Sequence, residues 1–260
     1  MTSYPIYHVD AFTSKLFGGN PAAVCPLETW LPEETMQKLA FENNLSETAF
    51  FLNEGLQYHI RWFTPEFEID LCGHATLASA FVIFNYLNHA ADNIRFTCKS
   101  GHLEVTKKGD LIELNFPARI LQSATAPEAL LKGLNITPSG VFKSRDYFLV
   151  YDDESQIRAI IPDYNYLNQI DAIGVIVTAP GKEVDFVSRF FVPNSVIGED
   201  PVTGSAHCNL IPFWAQQLSK STLTARQLTA RRGELFCEHK GERVIIAGHA
   251  VLYLKGEYFL

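Results

Sequence analysis

The stretch Arg61-Trp62-Phe63-Thr64-Pro65, followed 12 residues from its arginine by the run Gly73-His74-Ala75-Thr76-Leu77-Ala78-Ser79-Ala80-Phe81-Val82-Ile83-Phe84, decides the fold because it occurs twice. Its counterpart, Arg189-Phe190-Phe191-Val192-Pro193, begins 128 residues later and is followed 15 residues from its arginine by Gly204-Ser205-Ala206-His207-Cys208-Asn209-Leu210-Ile211-Pro212-Phe213-Trp214. Each copy places an arginine, two aromatics, a β-branched residue and a proline ahead of a glycine-led apolar run. A helix that is apolar nearly all round is a buried one. Pro212 predicts a kink in the second helix, or a start nearer the proline. Repetition at about half the chain length predicts an internal duplication. The expected class is α+β: two pseudo-symmetric lobes, each a mostly antiparallel sheet rolled around one central helix. Turn residues interrupt the pattern between Pro117 and Pro127, which divides the chain into lobes 1–117 and 118–260, with the extreme C-terminal strand able to pack back on the first.

Working outward, β-branched and aromatic alternation predicts strands at Tyr4–Phe12, Thr48–Leu52, Tyr58–Thr64, Ile94–Thr97, Leu103–Thr106 and Leu111–Phe116. The same signal recurs at Tyr147–Tyr151, Ala172–Thr178, Val184–Val192, Val244–Ala247 and Ala250–Leu254. One amphipathic helix is expected from Pro32 to Asn44. Pro32 suits a first helical position, Glu33 and Glu34 favour the positive helix end, and Met36, Leu39, Ala40 and Leu45 form its apolar stripe.

The 260 residues carry 21 Lys+Arg against 29 Asp+Glu, a net charge of −8 that opposes binding to a phosphate backbone or an anionic membrane. Nucleic acid and membrane are therefore not expected partners. Five cysteines without a CxxC spacing argue against a disulfide framework and fit a reducing cytoplasm. No basic region precedes an apolar stretch at the N-terminus, and the longest apolar segment, Leu77–Phe84, is far short of the ~20 residues a membrane span needs.

Familiar catalytic spacings are missing. The eight histidines contain no HExxH, and His207-Cys208 has no companions at ligand spacing, so no metal is expected. There is no G-x-S-x-G elbow. Gly18-Gly19-Asn20 lacks the continuation of a phosphate loop, and Pro21 removes a backbone donor, so it reads as a turn before a strand. What remains is a pair of helix N-termini, one per lobe, which a duplication would bring face to face. Their unpaired N–H groups and positive dipole ends would suit a small carboxylate.

Six blocks then carry a resemblance. Asp10-Ala11-Phe12, Phe17-Gly18-Gly19-Asn20-Pro21-Ala22-Ala23-Val24, Leu45-Ser46-Glu47-Thr48-Ala49-Phe50, Leu71-Cys72-Gly73-His74-Ala75-Thr76, Asp200-Pro201-Val202-Thr203-Gly204-Ser205-Ala206 and the closing Gly248-His249-Ala250-Val251 resemble, in order and spacing, the signature blocks of the PhzF-like (phenazine biosynthesis-like) isomerase family. The resemblance implies a diaminopimelate epimerase-like fold and a cofactor-independent isomerase acting on a small carboxylate. It implies Glu47, His74 and Asp200 as catalytic residues, Asn20, Gly73, Gly204 and Ser205 as substrate-binding residues, and a homodimer in the cytoplasm. On its own residues Glu47 reads as an ordinary carboxylate.

Related racemases and epimerases place a cysteine before each central helix. Here Cys72 stands before Gly73, but Pro201-Val202 occupy the second position, and Cys208 falls about two turns into its helix. Two-thiol inversion thus lacks its second group. A single glutamate instead suits removal of a proton from one carbon and its return to another on the same face, with Phe12, Phe50 and Phe51 as candidates to raise the Glu47 pKa. The alternatives are a one-thiol epimerase or racemase using Cys72, and a homologue that only binds a metabolite.

Overall fold

The computed structural model describes residues 1–260, which divide into two compact units, Met1–Phe116 with Ile246–Leu260, and Pro117–Ile245. The last 15 residues thus belong to the first unit. Backbone pairing is the reason, since the closing strand Ala250–Phe259 lies antiparallel along the first strand from Ala11↔Ala250 to Ser3↔Phe259.

In the first unit the elements are β1 (Ser3–Ala11), β2 (Asn20–Leu27), α1 (Glu33–Asn43), β3 (Glu47–Asn53), β4 (Tyr58–Phe63), β5 (Glu68–Ile69), α2 (Gly73–Tyr86), β6 (Asn93–Cys98), β7 (Gly101–Lys108) and β8 (Leu111–Pro117). Those of the second are β9 (Gln122–Ser123), α3 (Glu128–Lys132), β10 (Gly140–Lys143), β11 (Tyr147–Val150), α4 (Glu154–Ala159), α5 (Tyr164–Leu167), β12 (Val175–Pro180), β13 (Phe186–Phe191), α6 (Gly204–Leu218), β14 (Thr222–Gln227) and β15 (Gly233–Lys240), after which β16 (Arg243–Gly248) begins in the second unit and ends in the first, before the closing strand β17. No helix is long and apolar enough to cross a membrane.

Pairing repeats between the units in kind and order. In the first, β1/β2 is antiparallel, β2/β3 parallel, β3/β4 antiparallel, β4/β6 parallel and β6/β7 antiparallel. In the second the same alternation runs through β10/β11, β11/β12, β12/β13, β13/β14 and β14/β15. Each parallel pair is spanned by helix, as a crossover connection requires. The sheets are therefore less uniformly antiparallel than alternation of polarity implies. Polarity reports which face a residue takes, not which way its neighbour runs.

Nine of the fourteen α2 residues are buried, packed on β1, β2 and β3. Ala75, Ala78 and Ala80 let the strands approach closely, while Thr76 and Ser79 donate to the Cys72 and Ala75 carbonyls one turn back, so their hydroxyls need no outside partner. β3 is buried on both faces: Phe50 joins Met36 and Ala40 of α1, and its neighbours alternate toward α2. α6 is held by the Trp214 indole N–H, which donates to Thr178 of β12, and by stacking of Trp214 on Phe186 of β13.

Expectations for α6 need correcting. It starts at Gly204 and runs through Pro212, with no start nearer the proline. A proline deprives the carbonyl four residues earlier of its N–H. That carbonyl, on Cys208, accepts from the backbone N–H of Arg119 at 2.9 Å instead. Cys208 is the fifth helical residue, about one turn in rather than two. Strands β14 and β15 escaped the sequence reading because Arg226, Glu234, Glu238 and Lys240 dilute their apolar pattern.

The repeated pentads are the same device built twice. Arg61 grips Glu68 through Nε and Nη2 at 2.7 and 2.8 Å, with its guanidinium 5.1 Å from the Phe63 ring centre. Arg189 grips Glu199 at 2.7 and 2.9 Å, 4.8 Å from the Phe191 ring centre. Each forked pair ties a strand to the segment leading into the central helix. Hydrogen bonding from Arg61, opposed by desolvation and helped by Lys99, holds the Glu68 carboxyl below the usual range. Its stabilisation is thus present above the unfolded glutamate pKa and is lost as pH falls through the folded value. Arg61→Leu is expected to cost about 2 kcal/mol, since it leaves Glu68 with Lys99 alone. Urea titrations at pH 7 and pH 4 should show the wild type losing more stability than the variant; an equal loss would remove the pair from the account.

Candidate active site

The site begins with a turn that only glycine can make. At Gly19 φ is +60°, and a Cβ there would stand 2.0 Å from the Ala11 carbonyl oxygen. This turn starts β2 at Asn20, as the reading of Gly18-Gly19-Asn20 expected, and buries the Asn20 side chain completely. The parallel register Ala22↔Glu47 then brings the start of β3 alongside.

A relay of side chains follows. The Ser46 hydroxyl donates to Asn20 Oδ1 at 3.2 Å, Asn20 Nδ2 lies 3.1 Å from His74 Nδ1, and His74 Nε2 lies 3.0 Å from Glu47 Oε2. With the Asn20 amide donating, the neutral imidazole carries its proton on Nε2, toward Glu47. A charged ring keeps that proton there too, its Nδ1–H then donating to a turned Asn20 amide. Burial alone disfavours the imidazolium, but the Cys72 sulfur and the Glu47 carboxylate outweigh it and hold the His74 pKa well above its ordinary value. The 3.0 Å separation is an ion-pair contact whose angles fall outside good hydrogen-bond geometry, which leaves both atoms directionally unsatisfied.

Cys72 caps α2 without a side-chain hydrogen bond, its Sγ 3.5 Å from His74 Nδ1. Burial, reinforced by Glu47, pushes its thiol up to about 11. Of the aromatic candidates around Glu47, Phe50 belongs elsewhere. Strand alternation puts it on the opposite face of β3, in the α1 cluster.

The second unit holds a separate group at the start of α6. The Thr203 hydroxyl donates to Asp200 Oδ2 at 2.5 Å, and its backbone N–H donates to Gln227 Oε1 at 2.9 Å. Fully buried Gln227 also donates to the Asp200 carbonyl at 2.7 Å, fixing the loop that presents Gly204 and Ser205. Arg145, paired with buried Asp146, donates to the Ser205 hydroxyl at 3.1 Å. Sequence reading missed Ser46, Gln227, Thr203 and Arg145 as parts of these groups. Ser46 and Thr203 stand inside the signature blocks without a role assigned to them, whereas Arg145 and Gln227 are lone polar residues that only their partners mark.

The two central helices also start alike and unlike an ordinary helix. Neither α2 nor α6 has a side-chain N-cap hydrogen bond or an acidic residue in its first turn. By contrast, α4 is closed by a full capping box, with Asp153 accepting from Ser155 and Gln156. The positive ends of α2 and α6 are thus not neutralised by their own sequence, which favours an anion at each.

Similarity to known proteins extends over nearly the whole chain. The sequence profile described as "Phenazine biosynthesis-like protein" matches residues 9–256. An uncharacterized isomerase of Pseudomonas aeruginosa is 49% identical over 255 residues, covering 98% of each chain. The crystal structure of a PhzF-family phenazine biosynthesis protein from Enterococcus faecalis matches with a TM-score of 0.97 and 52% identity, covering 100% of each chain. A hydroxyproline epimerase from Agrobacterium vitis, 9% identical with a TM-score of 0.65 over 98% of this chain and 92% of its own, shares the fold alone. The α+β, epimerase-like class expected from the sequence agrees with these likenesses.

Proposed function

The chain belongs to the phenazine biosynthesis-like (PhzF-like) family, and on that premise we propose that it is an isomerase using Glu47 as a single proton shuttle on a small carboxylate substrate. The observation that carries this reading is the Glu47–His74 pair, held by Asn20 and Ser46. Glu47 takes a proton from a carbon next to an unsaturated or carbonyl group, and the C–H electron pair moves into conjugation. The new carboxylic acid then returns its proton to a second carbon on the same face, so that a double bond or keto/enol pair has moved and nothing is gained or lost. One carboxyl group touching both carbons can act as base and then acid.

His74 orients Glu47, and Asn20 acts as a positioning residue. Substrate roles for Gly73, Asp200, Gly204 and Ser205 are what membership of the family implies. The same reading makes the protein a cofactor-independent cytoplasmic homodimer. A one-thiol mechanism is disfavoured because a thiol pushed up to about 11 supplies little base near neutrality. Cys72→Ser is accordingly expected to change turnover by less than about tenfold, far below the loss of a true acid/base group.

The test is a screen of cyclic and aromatic-like carboxylates in deuterated buffer, read by mass spectrometry and NMR. Deuterium appearing at the carbon that receives the proton, with the double bond moved, is the expected result. Exchange with inversion at one carbon and no movement of unsaturation would replace the isomerase by an epimerase. A ligand bound without any exchange would leave only a metabolite-binding protein.

A further inference from the structure

The proline inside α6 leads to a second candidate site, away from the start of that helix. Pro212 frees the Cys208 carbonyl, which accepts from the Arg119 backbone N–H at 2.9 Å, and the Arg119 carbonyl accepts from Asn209 Nδ2 at 3.2 Å. Asn209 is completely buried, and its Oδ1 accepts from the Ser144 hydroxyl at 3.1 Å. The backbone of Arg119 is thus clamped to α6 through both of its polar groups, which fixes the side chain's origin before any ligand arrives.

That side chain lines a cavity of about 630 Å³, within the usual range of small-molecule sites. Arg61, Arg145, Arg158, Arg189 and Arg226 each pair with a carboxylate. Arg119 makes no ion pair, and its Nη1, shielded from solvent, has no hydrogen-bond partner. A guanidinium drawn out of water without a counter-charge is destabilising, and an incoming anion relieves it. No acidic residue lines the cavity, although the chain carries a net charge of −8. Burial pushes the Cys208 thiol up to about 11 while Arg119, Arg145 and Arg243 pull against that shift, so the field on this flank of α6 is positive.

The apolar lining selects among anions. Half-buried Phe142 and Phe213 form one wall, their ring centres 5.7 Å apart and their planes at 62°. Ile120, 87% exposed, and Pro212 extend the apolar surface. A flat ring packs on such a wall offset or edge-to-face. One guanidinium matches one negative charge, which favours a carboxylate over a phosphate monoester carrying about two. From Ser205 to Phe213 α6 rises about 12 Å, which separates this cavity from the group at the helix start.

We propose that the cavity is a second ligand site, for an aromatic monocarboxylate whose carboxylate pairs with Arg119 and whose ring packs on Phe142 and Phe213. All of its lining residues belong to the second unit, and none of its chemistry depends on Glu47.

The experiment is calorimetric titration of the full-length protein with naphthoate and, separately, with uncharged naphthamide. One Arg119-dependent site per chain with a Kd below about 1 mM for naphthoate is expected, and naphthamide should bind more weakly. Arg119→Gln should weaken naphthoate at least about 10-fold, as loss of a charge-assisted contact does, and leave naphthamide unchanged. Phe213→Leu should weaken both ligands. Arg95→Gln, at an exposed arginine of the first unit, should alter neither. Both clamps on Arg119 use its backbone, so the glutamine variant keeps them; Arg119→Lys, which retains the charge without the planar fork, is the second variant and should give an intermediate affinity. Absence of naphthoate binding, naphthamide binding as tightly as naphthoate, or naphthoate affinity unchanged in folded Arg119→Gln each overturns the site. So does an Arg119→Gln protein whose mass in sedimentation changes while naphthoate affinity does not, since the cavity would then be an interface between copies. Affinity for naphthoate is read without turnover, so the outcome is independent of whether an isomerase substrate is found.

Discussion

Glu47→Gln is expected to lower turnover about 100- to 10,000-fold with KM little changed, the pattern of a lost acid/base group whose shape is kept. Glutamine matches glutamate in size, so the close approach to His74, now 3.0 Å, can persist. What it cannot do is take a proton from carbon. A binding role for Glu47 would instead raise KM and leave the maximal rate. Side-by-side rates and solvent-deuterium incorporation for Glu47→Gln and Cys72→Ser distinguish these cases. An active glutamine variant beside a dead serine variant would transfer the chemistry to the thiol.

Lowering the pH from about 6.5 to about 4 is expected to remove roughly 3 kcal/mol of stability through His207 alone. The ring is fully buried, its Nδ1 lies 2.8 Å from the Thr203 carbonyl, and its Nε2 has no hydrogen-bond partner. Protonation would put an unpaired N–H in an apolar site beside Phe186, so burial pushes its pKa down to about 4. Across that window the unfolded chain binds a proton that the folded chain refuses, so folding weakens as pH falls and nothing further is lost below the folded pKa. His207→Leu should be less stable at pH 7, having lost the Thr203 bond, yet its unfolding free energy should fall less between pH 7 and pH 4. Equal falls in urea titrations of the two proteins would show that His207 is not the sensor. Because Thr203 caps α6, acid should also loosen the loop that presents Ser205.

Much of the fold was legible because it rests on local patterns. Glycine-led apolar runs read as buried helices, and α2 begins where the pattern begins. The Arg61 and Arg189 pentads read as a duplication, and their forked pairs to Glu68 and Glu199 give the repeat its physical reason. The later helix start that Pro212 suggested fails because a sequence shows the hydrogen bond a proline removes and not the Arg119 N–H that replaces it. Phe50 misled because proximity along a strand is not proximity in space: three residues from Glu47 is the opposite face.

By itself the sequence determined the two central helices, their uncapped N-termini, the strand-rich class and the blocks that mark the family. These depend on residues within a few positions of one another, where periodicity, backbone conformation and dipoles act. The tertiary structure alone decided which strands run parallel, the register in which the closing strand lies along β1, and that Ser46, Asn20, His74, Glu47 and Cys72 meet. The Asn20–His74 contact spans 54 residues. No spacing rule encodes it, because it exists only once the Gly19 turn, the β2/β3 register and the start of α2 have each been set by packing.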